Sequence, residues 1–322
     1  MSIHPVWRVI VSSRSGGGKA RHDWPEIAKL LTARNITFSE TVTDHAYHAI
    51  ELAKEAVRDG FRKLLVIGGD GAVHEVLNGL YSQEEVPPSE VTVALIPVGS
   101  GNDWSRLHEI PHDYGKAADL VAAAESHVRK QDVARVHTRM DGKPYCRYMM
   151  NIGGLGFDSE VCHRFDLAKE RGHAGDRQYL RSLLSGFVFY KSLKFSVIVD
   201  GEEFYRGPAF SVALGIGRYC GGGMRQTPEA IPDDGLIDVT VVGKLSKWKF
   251  LAKVPSLFRG DIFKHKEVTH TRGRQVEISA APYSYMEVDG EPVGITPVRI
   301  EVIPAGVQVV SGLEAGQFFG SM

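Results

Sequence analysis

Cysteine is scarce in this 322-residue chain, and neither sign of charge dominates. Cys146, Cys162 and Cys220 fall at no paired spacing, which excludes a disulfide or zinc framework and fits a reducing compartment. Lys and Arg number 38 against 39 Asp and Glu, a net charge of −1. No global field therefore recruits nucleic acid, and any basic surface must be local. No apolar run reaches bilayer-spanning length, and Met1-Ser2-Ile3-His4-Pro5 does not lead from a basic region into an apolar core. A cytoplasmic location is expected. Internal repeats, low-complexity tracts, the Gly-x-Gly-x-x-Gly fingerprint and the P-loop spacing are also missing.

What is present is a strand, a glycine turn and a helix in immediate succession. Leu64-Leu65-Val66-Ile67 reads as a buried strand, and Val73, Val76, Leu77 and Leu80 recur at helical spacing. Between them lies Gly68-Gly69-Asp70-Gly71. Glycines let a backbone approach a ligand closely, and the helix start directs N–H groups and a positive dipole end into the turn. An acid there would repel a bare phosphate, so Asp70 points to a divalent cation or a catalytic task. A plain turn whose Asp70 caps the helix is the alternative.

Two more glycine loops follow strands. Val6 to Val11 runs into Ser12-Ser13-Arg14-Ser15-Gly16-Gly17-Gly18-Lys19, then a helix with Ala20, Trp24, Ile27 and Leu31 on one face. A second helix would align Ala46, Ile50, Ala53 and Val57 and stop at Gly60. Val91 to Pro97 leads into Val98-Gly99-Ser100-Gly101-Asn102-Asp103-Trp104. This alternation implies a doubly wound, mostly parallel α/β sheet, with ligands at the strands' carboxyl ends. All three loops fall there, so they are expected to share one pocket.

After a helix at about Tyr114 to Ser126 the texture becomes short strands and turns, an antiparallel β-sandwich pattern. The boundary is placed near residue 134, giving domains 1–134 and 135–322. Asp141-Gly142, Asp200-Gly201 and Asp289-Gly290 each have hairpin-turn composition. Asn151 to Asp158 reads as a flexible turn opening the second domain. Asp233-Asp234-Gly235 among turn carbonyls suits a hard cation, or is a solvated turn. Asp289-Gly290-Glu291 could present a general base, yet Asp200-Gly201-Glu202 repeats the triplet, and spacing alone cannot choose. The histidines are scattered, with His45 and His48 close together, and read as surface or satisfied core residues.

Taken in order, Gly68-Gly69-Asp70-Gly71 with Glu75-Val76-Leu77-Asn78-Gly79, Pro97 to Arg106, Asn151 to Asp158, Gly221 to Leu236 and Asp289-Gly290-Glu291 resemble the diacylglycerol kinase catalytic family, which includes bacterial lipid kinases related to sphingosine and ceramide kinases. The resemblance spans nearly the whole chain. It implies a NAD-kinase-like α/β domain and a C-terminal β-sandwich with a nucleotide site between them. ATP phosphates would lie against Ser12, Ser13, Arg14, Ser15 and Gly16, then Gly69, Asp70, Gly71, Ala72, Val73, His74 and Glu75, and Ser100, with Thr43 nearby. Asp70, Asp103 and Asp234 would form an acidic network around Mg²⁺, with Ile231 and Leu236 offering backbone oxygens. Glu291 would take the proton from a lipid hydroxyl, assisted by Asp132. The resemblance thus selects the second Asp-Gly-Glu triplet.

Two positions depart from the family pattern: Ser12-Ser13 stands where Asn-Pro is usual, and Ala72 where Thr is usual. Ala72 has lost a hydrogen-bond donor that would be worth roughly 1.5–3 kcal/mol to a charged partner. A lipid acceptor implies a peripheral membrane contact. Two basic-aromatic stretches could supply it, Lys244 to Lys266 and Arg177 to Lys194, although a core-facing helix with a solvated basic side would look the same. A homodimer is left open. The competing readings are an NAD kinase, which shares the Gly-Gly-Asp-Gly turn, and a nucleotide-binding regulator without catalysis.

Overall fold

The computed structural model describes residues 6–170 and 190–313. It divides into two compact units, Met1–Val133 with Pro304–Met322, and Ala134–Ile303.

The first unit is built on β1 (Trp7–Val11), β2 (Phe38–Val42), β3 (Lys63–Gly68) and β4 (Thr92–Pro97). All pair in parallel in the order β4-β3-β1-β2. The helices are α1 (Lys19–Ala33), α2 (His48–Arg58), α3 (Asp70–Leu80), α4 (Asp103–Leu107), α5 (Tyr114–Ala122) and α6 (Ala124–His127). Strands β1, β3 and β4 are almost wholly buried, as a parallel sheet covered on both faces requires. Helix α1 buries Ala20, Trp24, Ile27 and Leu31, the face read from the sequence. Helix α2 buries Ala53 and Val57 of the face expected of it, but not Ala46, and Ile50 is only half-buried. Tyr47 takes a left-handed φ of 64°, so the helix begins at His48 and buries Ala49, Leu52, Ala53, Ala56 and Val57. Ala46 therefore lies outside the helix.

The second unit holds β5 (Val128–Met140, from Ala134), β6 (Lys143–Met149), β7 (Ile152–Gly156), α7 (Phe157–Glu170), β8 (Leu193–Val199), β9 (Glu202–Gly215), β10 (Tyr219–Cys220), β11 (Met224–Arg225), β12 (Ile237–Gly243), α8 (Lys247–Arg259), β13 (Val268–Gly273), β14 (Gln275–Ala281), β15 (Tyr285–Val288) and most of β16 (Glu291–Val310). The order β13-β12-β9-β7-β15-β16 is closed by β14, which pairs with β16, and by β8, which pairs with both β14 and β9. The pairings of β12, β9, β7, β15, β14 and β8 are antiparallel. Inward residues of both faces, among them Leu155, Phe195, Val212, Val239, Ile278, Met286 and Ile300, form one apolar core. The three Asp-Gly pairs are hairpin turns with left-handed φ at both residues, the geometry a tight two-residue turn needs.

Two features differ from the sequence reading. Asn151 to Asp158 is no flexible turn: β7 is buried from end to end. Its glycines serve close packing, since a Cβ on Gly153 would sit 2.9 Å from Met286 Cε. The end of β16 leaves the second unit and pairs in parallel with β4, Gln308 opposite Thr92. The described chain thus closes on the first unit's sheet, a return that local pattern does not reveal.

Candidate active site

In the first unit, the glycine loops meet at the carboxyl ends of the parallel strands. A Cβ on Gly99 would lie 2.9 Å from Gly69 Cα, so these two backbones touch. The loop after β1 joins them: Gly69 N–H donates to Ser15 Oγ at 3.3 Å, and Ser15 donates to Ser12 Oγ at 2.8 Å. Ser13 N–H donates to Thr43 Oγ1 at 2.9 Å, adding the end of β2. Ser12, Ser13, Ser15, Thr43 and Gly69 are therefore brought together, while Arg14, Gly16 and Ser100 are exposed around them. Gly16, Gly17 and Gly18 have φ of 60°, 68° and 96°, a run of left-handed backbone that other residues rarely adopt.

Several side chains predicted at the nucleotide are occupied elsewhere. Val73 and His74 are buried, with His74 Nε2 3.2 Å from Asn78 Nδ2. Ala72 is buried too. At these positions a phosphate could meet only backbone. Glu75 accepts from Ala49 N–H at 3.1 Å and so serves the start of α2. Asp70 braces the third loop, its two oxygens accepting from Asp103 N–H and Trp104 N–H at 3.0 and 2.9 Å. Charge-assisted bonds of this kind hold a helix start firmly. Asp103 is itself buried and paired with Arg106. Asp132 is buried and accepts from Ala305 N–H at 2.7 Å, fixing the bend that returns β16 to this unit. In this structure Asp70, expected around a cation, and Asp132, expected beside a base, each accept from backbone N–H groups, while the Asp103 carboxylate pairs with the Arg106 guanidinium.

The pocket beside these loops also takes in residues outside the nucleotide set that the resemblance implies. An open pocket of about 350 Å³ is lined by Gly16, Val98, Gly99 and Asn102, together with Lys19 and Tyr114. Lys19 pairs with Asp23 and lies 2.6 Å from the Tyr114 hydroxyl. Those two partners hold its ammonium well above the usual lysine range. Asn102 takes a left-handed φ of 50°, and its Nδ2 donates to Gly99 O at 2.8 Å. Its Oδ1 is buried and has no hydrogen-bond partner among the described residues. A buried orphan acceptor costs free energy unless a donor is supplied, and a sugar hydroxyl or an ordered water supplies one. These loops fit a nucleotide: exposed glycine backbone, hydroxyls and an unmet acceptor.

In the second unit, the β15–β16 hairpin places Glu291 immediately after its turn. Asp289 Oδ1 accepts from Asn151 and Ile152 N–H at 3.0 and 3.2 Å, and Oδ2 from Met150 N–H at 3.1 Å. Gly290 N–H donates to Glu287 Oε2 at 2.9 Å, and Cys162 Sγ to Gly290 O at 2.9 Å. The tip is thus anchored from several sides, and Glu291 is presented on fixed backbone. Glu287 and Asp158 were not singled out as site residues, and both stand near this hairpin. Burial raises the Glu287 carboxyl well above its usual range, with the neighbouring charge of Asp158 adding to it. Burial pushes Asp158 up to about 6. The naked backbone of Gly154 makes room: a Cβ there would be 2.7 Å from Glu287 Oε1.

The loop before β12 carries the remaining candidates. Leu236 N–H donates to Asp234 Oδ1 at 3.0 Å, and Asp234 N–H approaches Ile231 O at 3.4 Å. Arg272 lies 3.6 Å from Asp234 and 3.2 Å from the buried Asp238. One carboxylate among turn carbonyls is a hard oxygen set of the kind Mg²⁺ or Ca²⁺ takes, so Asp234, Ile231 and Leu236 fit a divalent cation. Asp44, His45 and His48 also cluster, with the two imidazoles stacked at 4.5 Å on an exposed surface.

Residues 6–136 match the diacylglycerol kinase catalytic domain, and residues 153–311 match the YegS C-terminal NAD kinase beta sandwich-like domain. The chain is 29% identical to a diacylglycerol kinase of Mycobacterium tuberculosis over 95% of its own length and 96% of that protein's. It is 30% identical to a probable lipid kinase YegS-like of Xanthomonas euvesicatoria, covering 94% and 95% of the two chains. Among solved structures, one from Bacillus anthracis described as a candidate diacylglycerol kinase superposes with a TM-score of 0.76 at 26% identity, covering 95% of each chain. Yeast NADH kinase, at 13% identity and a TM-score of 0.51, shares the fold alone. The chain belongs to the diacylglycerol kinase catalytic family of lipid kinases, enzymes that use ATP and usually a divalent metal.

Proposed function

We propose that this enzyme transfers the γ-phosphoryl group of ATP to the free hydroxyl of diacylglycerol, giving phosphatidic acid at a membrane surface, with Mg²⁺ as its metal. The loops at Ser12–Gly16, Gly69–Gly71 and Gly99–Asn102 would receive the phosphates through backbone N–H groups and hydroxyls, while Asn102 Oδ1 accepts from the nucleotide or its water. Asp234, with the carbonyls of Ile231 and Leu236, would hold Mg²⁺. That ion would offset charge on the transferring group. Glu291 would accept the hydroxyl proton as the acceptor oxygen attacks phosphorus. Asp70 would fix the third loop and Asp132 the returning strand.

The observation that supports Glu291 as the base is the anchored Asp289-Gly290 turn, which leaves Glu291 on fixed backbone, as a positioned base requires. The names of the relatives support diacylglycerol as acceptor. Purified protein, Mg²⁺ and labelled ATP are incubated with diacylglycerol, sphingosine, phosphatidylglycerol or NAD. Label is expected on diacylglycerol. Label confined to NAD, or on no acceptor, rejects the proposal. Glu291→Gln is expected to bind ATP as before while turnover falls by about three orders of magnitude, within the range for lost acid–base catalysis; undiminished turnover rejects Glu291 as the base.

A further inference from the structure

Helix α8 carries two apolar faces, and only one is spent on the core. Phe250 packs on Phe157 and Phe210 with ring centroids 5.5 and 4.4 Å apart, and Leu257 joins the same cluster. On the other side Trp248 is 82% exposed, Leu251 46% and Phe258 51%. Ala252 and Pro255 lie exposed between them. Positions 248, 251, 255 and 258 follow the i, i+3, i+7, i+10 spacing of a single helical stripe. The stripe lies in a segment rich in cations. From 244 to 267 the chain carries seven basic residues against Asp261 and Glu267. Those two acids are already paired, Glu267 with Lys253 at 3.1 Å and Asp261 with Arg259 at 3.3 Å. Lys244, Lys249, Lys264 and Lys266 are exposed.

We propose that this face of α8 is the surface on which the enzyme seats on an anionic bilayer. Tryptophan favours the headgroup layer, where an apolar ring with one polar N–H finds both environments. Leu251 and Phe258 reach the acyl boundary beside it, and the surrounding lysines meet the lipid phosphates. A protein partner would be expected to match a broader apolar patch with fewer lysines around it. The inference rests on the lipid-acceptor reading and narrows the two stretches considered from the sequence to this one. The other stretch lies largely outside the described residues.

Trp248 makes the test direct, because the remaining tryptophans, Trp7, Trp24 and Trp104, are buried. Full-length protein is titrated with vesicles of phosphatidylglycerol and phosphatidylcholine, or of phosphatidylcholine alone, while tryptophan emission is followed. A blue shift on the anionic vesicles, weakened by added salt and absent in Trp248→Ala, is expected. Leu251→Ala/Phe258→Ala should weaken partitioning by at least about tenfold. The same variant should phosphorylate a short-chain diacylglycerol, dissolved as monomers, at the unaltered rate. Unchanged emission with vesicles, an equal shift on neutral vesicles, or undiminished binding of the double variant overturns the proposal. So does a vesicle-free, concentration-dependent dimer that itself shifts Trp248 emission, since the stripe then faces a second copy. Vesicle binding through Trp248 with no label on any lipid would sink the acceptor reading and leave the surface standing.

Discussion

The two Asp-Gly-Glu triplets give the assigned base an internal control. Asp289 and Asp200 occupy equivalent hairpin turns, with φ of 51° and 50°. Asparagine tolerates that backbone, so Asp→Asn at either site tests the carboxylate and leaves the turn intact. At Asp200, Oδ1 accepts from both Arg274 and Gln275 N–H at 2.9 and 2.8 Å, and Oδ2 only shares the Arg274 N–H at a longer 3.2 Å. An asparagine oxygen keeps both bonds, and the site is exposed, so the cost should be below about 1 kcal/mol. At Asp289 the work is divided. Oδ1 serves Asn151 and Ile152, while Oδ2 serves Met150. Asparagine keeps one oxygen and turns an NH₂ donor toward a second N–H donor. A lost charge-assisted bond plus an unsatisfied, partly buried donor should cost about 2–3 kcal/mol.

The same displacement moves Glu291, and a shift on the order of 1 Å at a reacting group costs about a hundredfold in rate. Urea titration measures the stability loss from the transition midpoint. Turnover with saturating ATP and diacylglycerol is measured where both variants remain folded. Asp289→Asn should lose both stability and between about ten- and a hundredfold in kcat, while Asp200→Asn loses neither. Equal turnover losses in the two variants, or full turnover in Asp289→Asn despite its instability, would refute the claim that this turn positions a base.

Gly99→Ala introduces a Cβ 2.5 Å from Asn102 Oδ1 and 2.9 Å from Gly69 Cα; overpacking of this kind costs about 1–3 kcal/mol, and KM for ATP should rise several-fold while KM for the lipid stays put in steady-state kinetics. Glu287→Gln should flatten the pH dependence of stability: the folded carboxyl titrates above its unfolded value, so its favourable contribution is complete in acid and fades as pH rises through the folded pKa. Thermal midpoints of the variant and the parent should therefore diverge in the variant's favour from pH 5 to pH 8. Asp234→Asn removes the charged oxygen donor of the candidate cation loop, and half-saturation by Mg²⁺ in the turnover assay should rise at least about tenfold; an unchanged Mg²⁺ requirement would move the metal elsewhere.

What the sequence makes legible here is periodicity and turn chemistry. The α1 face and the Gly-Gly-Asp-Gly strand–turn–helix follow from side-chain spacing, and the three Asp-Gly hairpins follow from the residues that accept left-handed backbone. Glycine is where legibility fails, because one residue type answers two opposite needs. At Gly16–Gly18 it permits left-handed backbone on an exposed loop; at Gly153 and Gly154 it lets a buried strand pass close under Met286 and Glu287. Local sequence cannot separate the two, so β7 reads as a flexible turn. Carboxylates are ambiguous in the same way. Asp70, Glu75, Asp103 and Asp132 have the composition of a metal or catalytic cluster, yet each is held by a backbone N–H contact or an ion pair. A carboxylate that braces a loop and one that takes a proton look alike until the N–H groups facing them are known. This is why Glu291 is best judged through Asp289: the acid that anchors the turn determines where its neighbour can act.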